Sequence, residues 1–239
     1  MTPTGALTLA LTSAAALSGG FLLMRRSAAS DIVARAGSSV LTLITPVIDM
    51  GVAEMVLSAL DQVSGDKVTV LLHTQGGCVA SCVMIAQALR HFRESTVVVP
   101  YMAISGGTLI ALSARHLQMG RNAYLSAVDP IVYGERAKYL TAPDDARLAA
   151  DTRLAALARD YEAAVLKFMR TTLTHRVRWP DATREQLDGR VDMALDVFMG
   201  KHAPHEWPIP IQEVLALGIP VTPASRGWAA QVDAQRRAW

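Results

Sequence analysis

Residues 67–112 read KVTVLLHTQGGCVASCVMIAQALRHFRESTVVVPYMAISGGTLIAL. Two runs in it, 67–73 and 96–101, are short, β-branched and aliphatic, the composition of strands buried on both faces. Each run stops at a glycine pair, Gln75-Gly76-Gly77 and Ser105-Gly106-Gly107. A helix-compatible segment follows each pair, over 78–92 and over 108–114. Strand, glycine turn and helix, twice in succession, is the order of a parallel βαβ arrangement. Outward from this centre, 39–48 reads as another buried strand, and 51–63 carries apolar residues at helical spacing before a turn at 64–66. Beyond it, 117–119 and 123–125 read as short strands around Gly120. The Ala-rich stretch 144–173, with Asp at its start and Arg along it, reads as a long helix. A last short helix is expected over 212–217, ending at Gly218. The expected fold class is α/β, with a parallel sheet flanked by helices.

Composition narrows the function classes. The chain has 239 residues and a formal net charge of +2, so no strong basic field argues for nucleic acid. There is neither a Walker loop nor a GxGxxG fingerprint, and no cofactor is expected. Cys78 and Cys82 fall on one face of the 78–92 helix and read as small packing residues; two ligands do not make a zinc site. His202 and His205, near Glu206, are equally thin as a metal site, so no metal is expected. His73 ends a strand beside a glycine turn and reads as a satisfied structural residue. Asp129 either orients a base or caps the turn before Pro130.

Residues 6–24 carry no charge, and Arg25-Arg26 follow at once. That length suits a single membrane-crossing helix, and the arginine pair places the bulk of the chain on the cytoplasmic side of the cell membrane. The alternative is a cleaved signal with an unusual n-region. The expected organisation is an anchor over 1–26, a linker over 27–37, a catalytic domain over 38–222 and a tail over 223–239.

A serine at a strand end, opening a helix, presents its hydroxyl to a cleft, and the N–H groups that follow face a developing oxyanion. Two glycine junctions one strand–helix unit apart supply such donors from neighbouring loops. Residues 71–89 and 99–130, with IDMGVAEMVLSAL at 48–60 and HEWPIPIQEVLALGIPV at 205–221, resemble the ClpP-class serine dehydrogenase proteinases. Those proteins carry comparable "HTPGG", "AMSGGTLIAL" and "GPVDP" stretches at matching spacing, and an apolar segment before the domain. The resemblance covers roughly residues 38–222. It implies a ClpP/crotonase fold of stacked ββα units. It implies Ser105 as nucleophile, and an oxyanion hole from the Gly106 N–H with that of Gly76 or Gly77. It implies that Gly76 to Val79 and Tyr101 to Ile104 bind an extended peptide. The implied partners are a peptide or membrane-protein substrate, a membrane, and further copies of the chain in a homo-oligomer.

The base does not carry over. ClpP places a His where this chain reads SAVDP, and the family's helical lysine falls near Ala155. Only four lysines exist, Lys67, Lys138, Lys167 and Lys201. By elimination Lys138 is the expected base, with Arg136 nearby to lower its pKa and Tyr133, Tyr139 and Leu140 as an apolar wall. The expected function is a membrane-anchored, ATP-independent serine peptidase acting through an acyl-enzyme at Ser105; the alternative is an inactive scaffold or peptide-binding pseudoenzyme of the same fold, and a weaker third is crotonase-type acyl-thioester chemistry.

Overall fold

The computed structural model describes residues 8–10, 31–34, 39–141 and 152–237. In chain order the elements are β1 (Thr8–Ala10), β2 (Asp31–Ala34), β3 (Val40–Thr45), α1 (Met50–Asp61), β4 (Lys67–Thr74), α2 (Val79–His91), β5 (Glu94–Val99), β6 (Met102–Ala103), α3 (Gly106–Ser113), β7 (His116–Met119), β8 (Tyr124–Leu125), β9 (Ile131–Val132), β10 (Glu135–Arg136), α4 (Ala137–Leu140), α5 (Thr152–Arg176), α6 (Arg184–Phe198), β11 (Ile209–Pro210), α7 (Ile211–Ala216), β12 (Thr222–Pro223) and α8 (Arg226–Arg236).

The main sheet runs β1-β2-β3-β4-β5-β7-β12, with β6 joining β4 to β8 and β11 beyond β8. Pairing is parallel from β3 through β12 and antiparallel at β1, β2 and β11. The strands read as unbroken apolar runs because both faces are covered. Leu41, Leu43, Val68, Val70, Leu72, Val97 and Val99 point into the large core shared with α1, α2, α3, α5 and α6. The intervening residues Ile44, Leu71 and Val98 point the other way, against Val232 and Trp228 of α8. Period-2 alternation thus feeds two separate apolar layers.

Helix starts follow local chemistry. The Asp49 side chain caps α1 by accepting the Val52 N–H at 2.8 Å. Thr183 and Gln186 form a reciprocal capping box at the start of α6.

Three expectations about the ends need correction or limits. Of the apolar run 6–24, only Thr8–Ala10 is described, and it is a strand pairing antiparallel with β2 rather than helix. The rest of the run lies outside the described residues, and no helix among them is long and apolar enough to cross a membrane. Within the expected linker, Asp31–Ala34 pairs in register with Leu41–Ile44 of β3. The expected tail holds α8, whose Asp233 accepts the Tyr101 hydroxyl at 2.7 Å.

Candidate active site

Ser105 occupies the turn between β6 and α3 at φ +54°, a conformation costing an L-residue about 1–3 kcal/mol. Hydrogen bonds hold it there. Ile104 N–H donates to Thr74 O at 3.0 Å, and Ser105 N–H donates to Ser126 Oγ at 2.8 Å. Ser126 donates its own N–H to Thr108 Oγ1 at 3.0 Å, and Thr108 Oγ1 donates to Ala103 O at 2.7 Å. Two buried hydroxyls therefore brace the turn from behind and leave Ser105 at the head of α3. Neither Thr108 nor Ser126 was singled out as a brace from sequence; only their place in the quoted motifs marked them.

The other glycine junction lies directly against this one. A Cβ on Gly76 would fall 2.7 Å from Ile104 O and 2.8 Å from Gly106 N. A Cβ on Gly77 would strike Ile48 O at 2.2 Å, and one on Gly106 would strike Cys82 Sγ at 2.3 Å. Glycine is required at these positions by contact as well as by the φ of +98° at Gly76. The expected choice between Gly76 and Gly77 is narrowed by hydrogen bonding. The Gly76 N–H is already donated to buried Thr74 Oγ1 at 3.0 Å. The N–H groups of Gly77 and Gly106 have no acceptor among the described residues, and the Gly106 Cβ position is 3.6 Å from Gly77 N.

Both junctions open on a cleft of about 350 Å³. Gly77, Cys78 and Val79 form one wall, with Ser105, Gly106 and Leu109 beside them. Residues 128–133 strap across, and Leu157, Tyr161 and Val165 of α5 close the far side. Leu157 and Tyr161 were not anticipated. The expected base position, Ala155, is not part of this lining. Of the two expected peptide-binding segments, Met102–Ala103 is paired on both sides, by Thr74 of β4 and by β8, so its backbone is committed to the sheet.

Lys138 is not brought to Ser105, contrary to expectation. Its Nζ donates to Gly200 O at 2.6 Å, and it lines two other cavities instead of the Ser105 cleft. The reason is the hairpin of β9 and β10. Its two-residue turn, Tyr133 at φ +51° and Gly134 at φ +87°, reverses the chain and carries Lys138 toward the 200–205 loop. The same hairpin turns Arg136 inward, where it pairs with Asp129 and donates to Gly200 O and Ala203 O, each at 2.8 Å. His205 Nδ1 lies 2.8 Å from the other Asp129 oxygen. Burial alone would raise the Asp129 carboxyl, but the His205 and Arg136 hydrogen bonds hold it below the usual carboxylate range. Asp129 and His205 therefore fasten the strap to the late loop. No described side chain lies within hydrogen-bond distance of Ser105 Oγ.

The cysteines divide. Cys78, the N-cap of α2, is exposed in the cleft, and a hydrogen bond from the Ser81 backbone holds its thiol below the ordinary range. Cys82 is buried, as expected, and burial pushes its thiol up to about 12. They are free thiols. His73 is buried, but its Nδ1 has no partner among the described residues, so the satisfied structural role expected for it does not hold there. No cluster of three or more metal-ligating side chains occurs among the described residues.

The family model of the ClpP-like SDH-type serine proteinases matches residues 23–225. Two uncharacterized proteins of Methanocaldococcus jannaschii are 45% and 39% identical over 80 residues, 33% of this chain. The matches span 28% and 27% of those relatives, so the chain covers under a third of their length. Among solved structures, ClpP1 from Listeria monocytogenes and a mutant of it superpose with TM-scores of 0.51 and 0.52 at 14% and 16% identity. Each superposition covers 80% of this chain and 94% of the other, a likeness of fold. The chain belongs to the family of ClpP-like SDH-type serine proteinases.

Proposed function

We propose that this protein is a serine peptidase that forms an acyl-enzyme at Ser105. Ser105 Oγ attacks a peptide carbonyl in the cleft, the carbonyl oxygen becomes an oxyanion, and the N–H groups of Gly77 and Gly106 receive it. Collapse of the tetrahedral adduct breaks the C–N bond, the amine leaves carrying the proton that Ser105 gave up, and water later adds to the acyl carbonyl, freeing the acid and restoring the Ser105 hydroxyl. The observation that supports this reading best is the strained Ser105 turn set against two unpaired N–H groups from separate loops. An extended peptide fits along Gly77 to Val79, under the 128–133 strap.

The Ser105 proton needs an acceptor, and the described cleft offers none in contact with Oγ. This observation favours a second reading, a peptide-binding pseudoenzyme of the same fold. Hydrolysis of a fluorogenic peptide library by the full-length protein separates the two: turnover lost in Ser105→Ala supports the peptidase, and peptide binding without turnover supports the pseudoenzyme. Membrane attachment, argued from the uncharged run 6–24 and Arg25-Arg26, and a homo-oligomeric state, implied by the sequence resemblance, belong to the same proposal. Retention in the pellet after carbonate extraction, and a sedimentation mass several times 25.6 kDa, are the expected results.

A further inference from the structure

A cavity of about 590 Å³ lies away from the Ser105 cleft, where the carboxyl ends of α2, α3 and α5 meet the start of β7. Four arginines line it, Arg90, Arg115, Arg176 and Arg178, with His116 and His175. None of these arginines has a carboxylate partner among the described residues. Their visible partners are neutral oxygens. Arg90 reaches Thr172 Oγ1 and stacks on Phe168; Arg115 Nε donates to Phe92 O at 3.1 Å; Arg178 donates to Val177 O at 3.0 Å. Arg176 is buried, donates to Ala114 O at 3.0 Å, to Arg115 O and to Pro220 O at 3.2 Å, and keeps a buried Nε without an acceptor among the described residues.

The simplest alternative is that these side chains only neutralise helix ends. Each helix carboxyl end is equivalent to about half a negative charge, so three ends supply about one and a half against four guanidiniums. A clear positive excess remains. Glu94, which feels the charge of His116, is already paired with Lys67 at 2.9 Å. Consistent with an unneutralised cluster, burial and then the Arg178 charge pull the Arg176 guanidinium down to about 10.

We infer that this cavity is a binding site for a phosphoryl anion. Each guanidinium presents five N–H donors in a planar fork, a geometry that matches phosphate oxygens, and few of the twenty are used internally. Arg115, Arg178, His116 and His175 are exposed at the mouth and reach the ligand first, whereas Arg176 fixes the floor. The volume admits a diphosphate or a phosphate ester. The phosphoryl group belongs either to a free anion or to a phospholipid headgroup. The site shares no lining residue with the Ser105 cleft, so it stands or falls independently of the peptidase reading.

The test uses the full-length protein at constant ionic strength. Inorganic pyrophosphate is titrated by calorimetry, and cosedimentation is measured with phosphatidylcholine vesicles with and without phosphatidic acid. The double variant Arg115→Gln/Arg178→Gln is compared with Lys201→Gln/Arg226→Gln, which removes the same charge elsewhere. Saturable pyrophosphate binding, weakened about tenfold or more only in the first variant, supports the site with a free anion as ligand. Binding only to phosphatidic acid vesicles, lost in the first variant alone, supports it with a headgroup as ligand. Equal weakening in both variants, or saturable binding to neither probe, overturns the inference.

Discussion

Acid should loosen the layer that α8 lays over the sheet, and His73 sets the pH at which it does so. His73 is 6% exposed, packs edge-on to Tyr101, and has an unpartnered Nδ1. Burial, then the Arg236 charge, lowers its pKa from 6.5 to about 4, with Asp233 pulling weakly the other way. The folded protein thus favours the neutral imidazole. The unfolded chain binds more protons between the two pKa values, so stability is full above about pH 6.5 and falls as the pH drops toward 4. The linkage relation gives a loss of about 2 kcal/mol between pH 7 and pH 5, and at most about 3 kcal/mol at lower pH. Asp129 contributes little in that window, because its depressed pKa confines its loss to the acid side of the ordinary carboxylate range. Urea unfolding at pH 7 and pH 5 measures the difference. His73→Phe keeps the ring contact and removes the titration, so its stability should change less between the two pH values by about 2 kcal/mol. Arg236→Gln should raise the folded-state pKa of His73 and so shrink the stability difference between the two pH values. Superimposable pH profiles for wild type and His73→Phe would refute the reasoning.

Other consequences follow from the cleft. Leu157→Lys places an amine on the α5 face opposite Ser105 and should accelerate acylation by an active-site serine probe, whereas Ala155→Lys, outside the lining, should leave the rate unchanged; equal rates in all three proteins would count against the assigned face. Iodoacetamide should alkylate Cys78 and spare Cys82, as read by peptide mass mapping, and the adduct should block peptide entry to the cleft; modification at Cys82 in the folded protein would contradict the burial ascribed to it. Arg136→Met leaves the buried Asp129 carboxylate without its guanidinium, and should destabilise the fold by about 3–5 kcal/mol in urea titrations. A loss below about 1 kcal/mol would show that the strap is fastened elsewhere.

The order of buried strands and glycine turns was legible because the sheet is covered on both faces. An apolar run such as KVTVLLH then has no solvent-facing half to disguise it. Elements that bury little were harder to read. α8 carries a single buried residue, Val232, and so reads as a polar tail. α6, by contrast, carries a signal in the sequence, the Thr183–Gln186 capping box with Val191, Ala194, Leu195 and Phe198 at helical spacing. At the site, Ser105 and the glycine pairs are local features of one turn each. The position of Lys138 depends on two residues at positive φ, one of them Tyr133, whose type gives no warning of a tight hairpin reversal. Elimination among four lysines sets aside the other three by their place in the fold but says nothing of where Lys138's own segment points, which the hairpin decides. Likewise, only the Thr74 hydrogen bond separates Gly76 from Gly77 as a donor.

The central claim is that the hydroxyl of Ser105, carried on a strained backbone turn, is the nucleophile. Incubation of the full-length protein with a fluorophosphonate, followed by peptide mass mapping, addresses it most directly. The account predicts a single adduct on the peptide containing Ser105 and none in Ser105→Ala. An adduct that persists in Ser105→Ala, or a folded wild-type protein that takes no label, would contradict it.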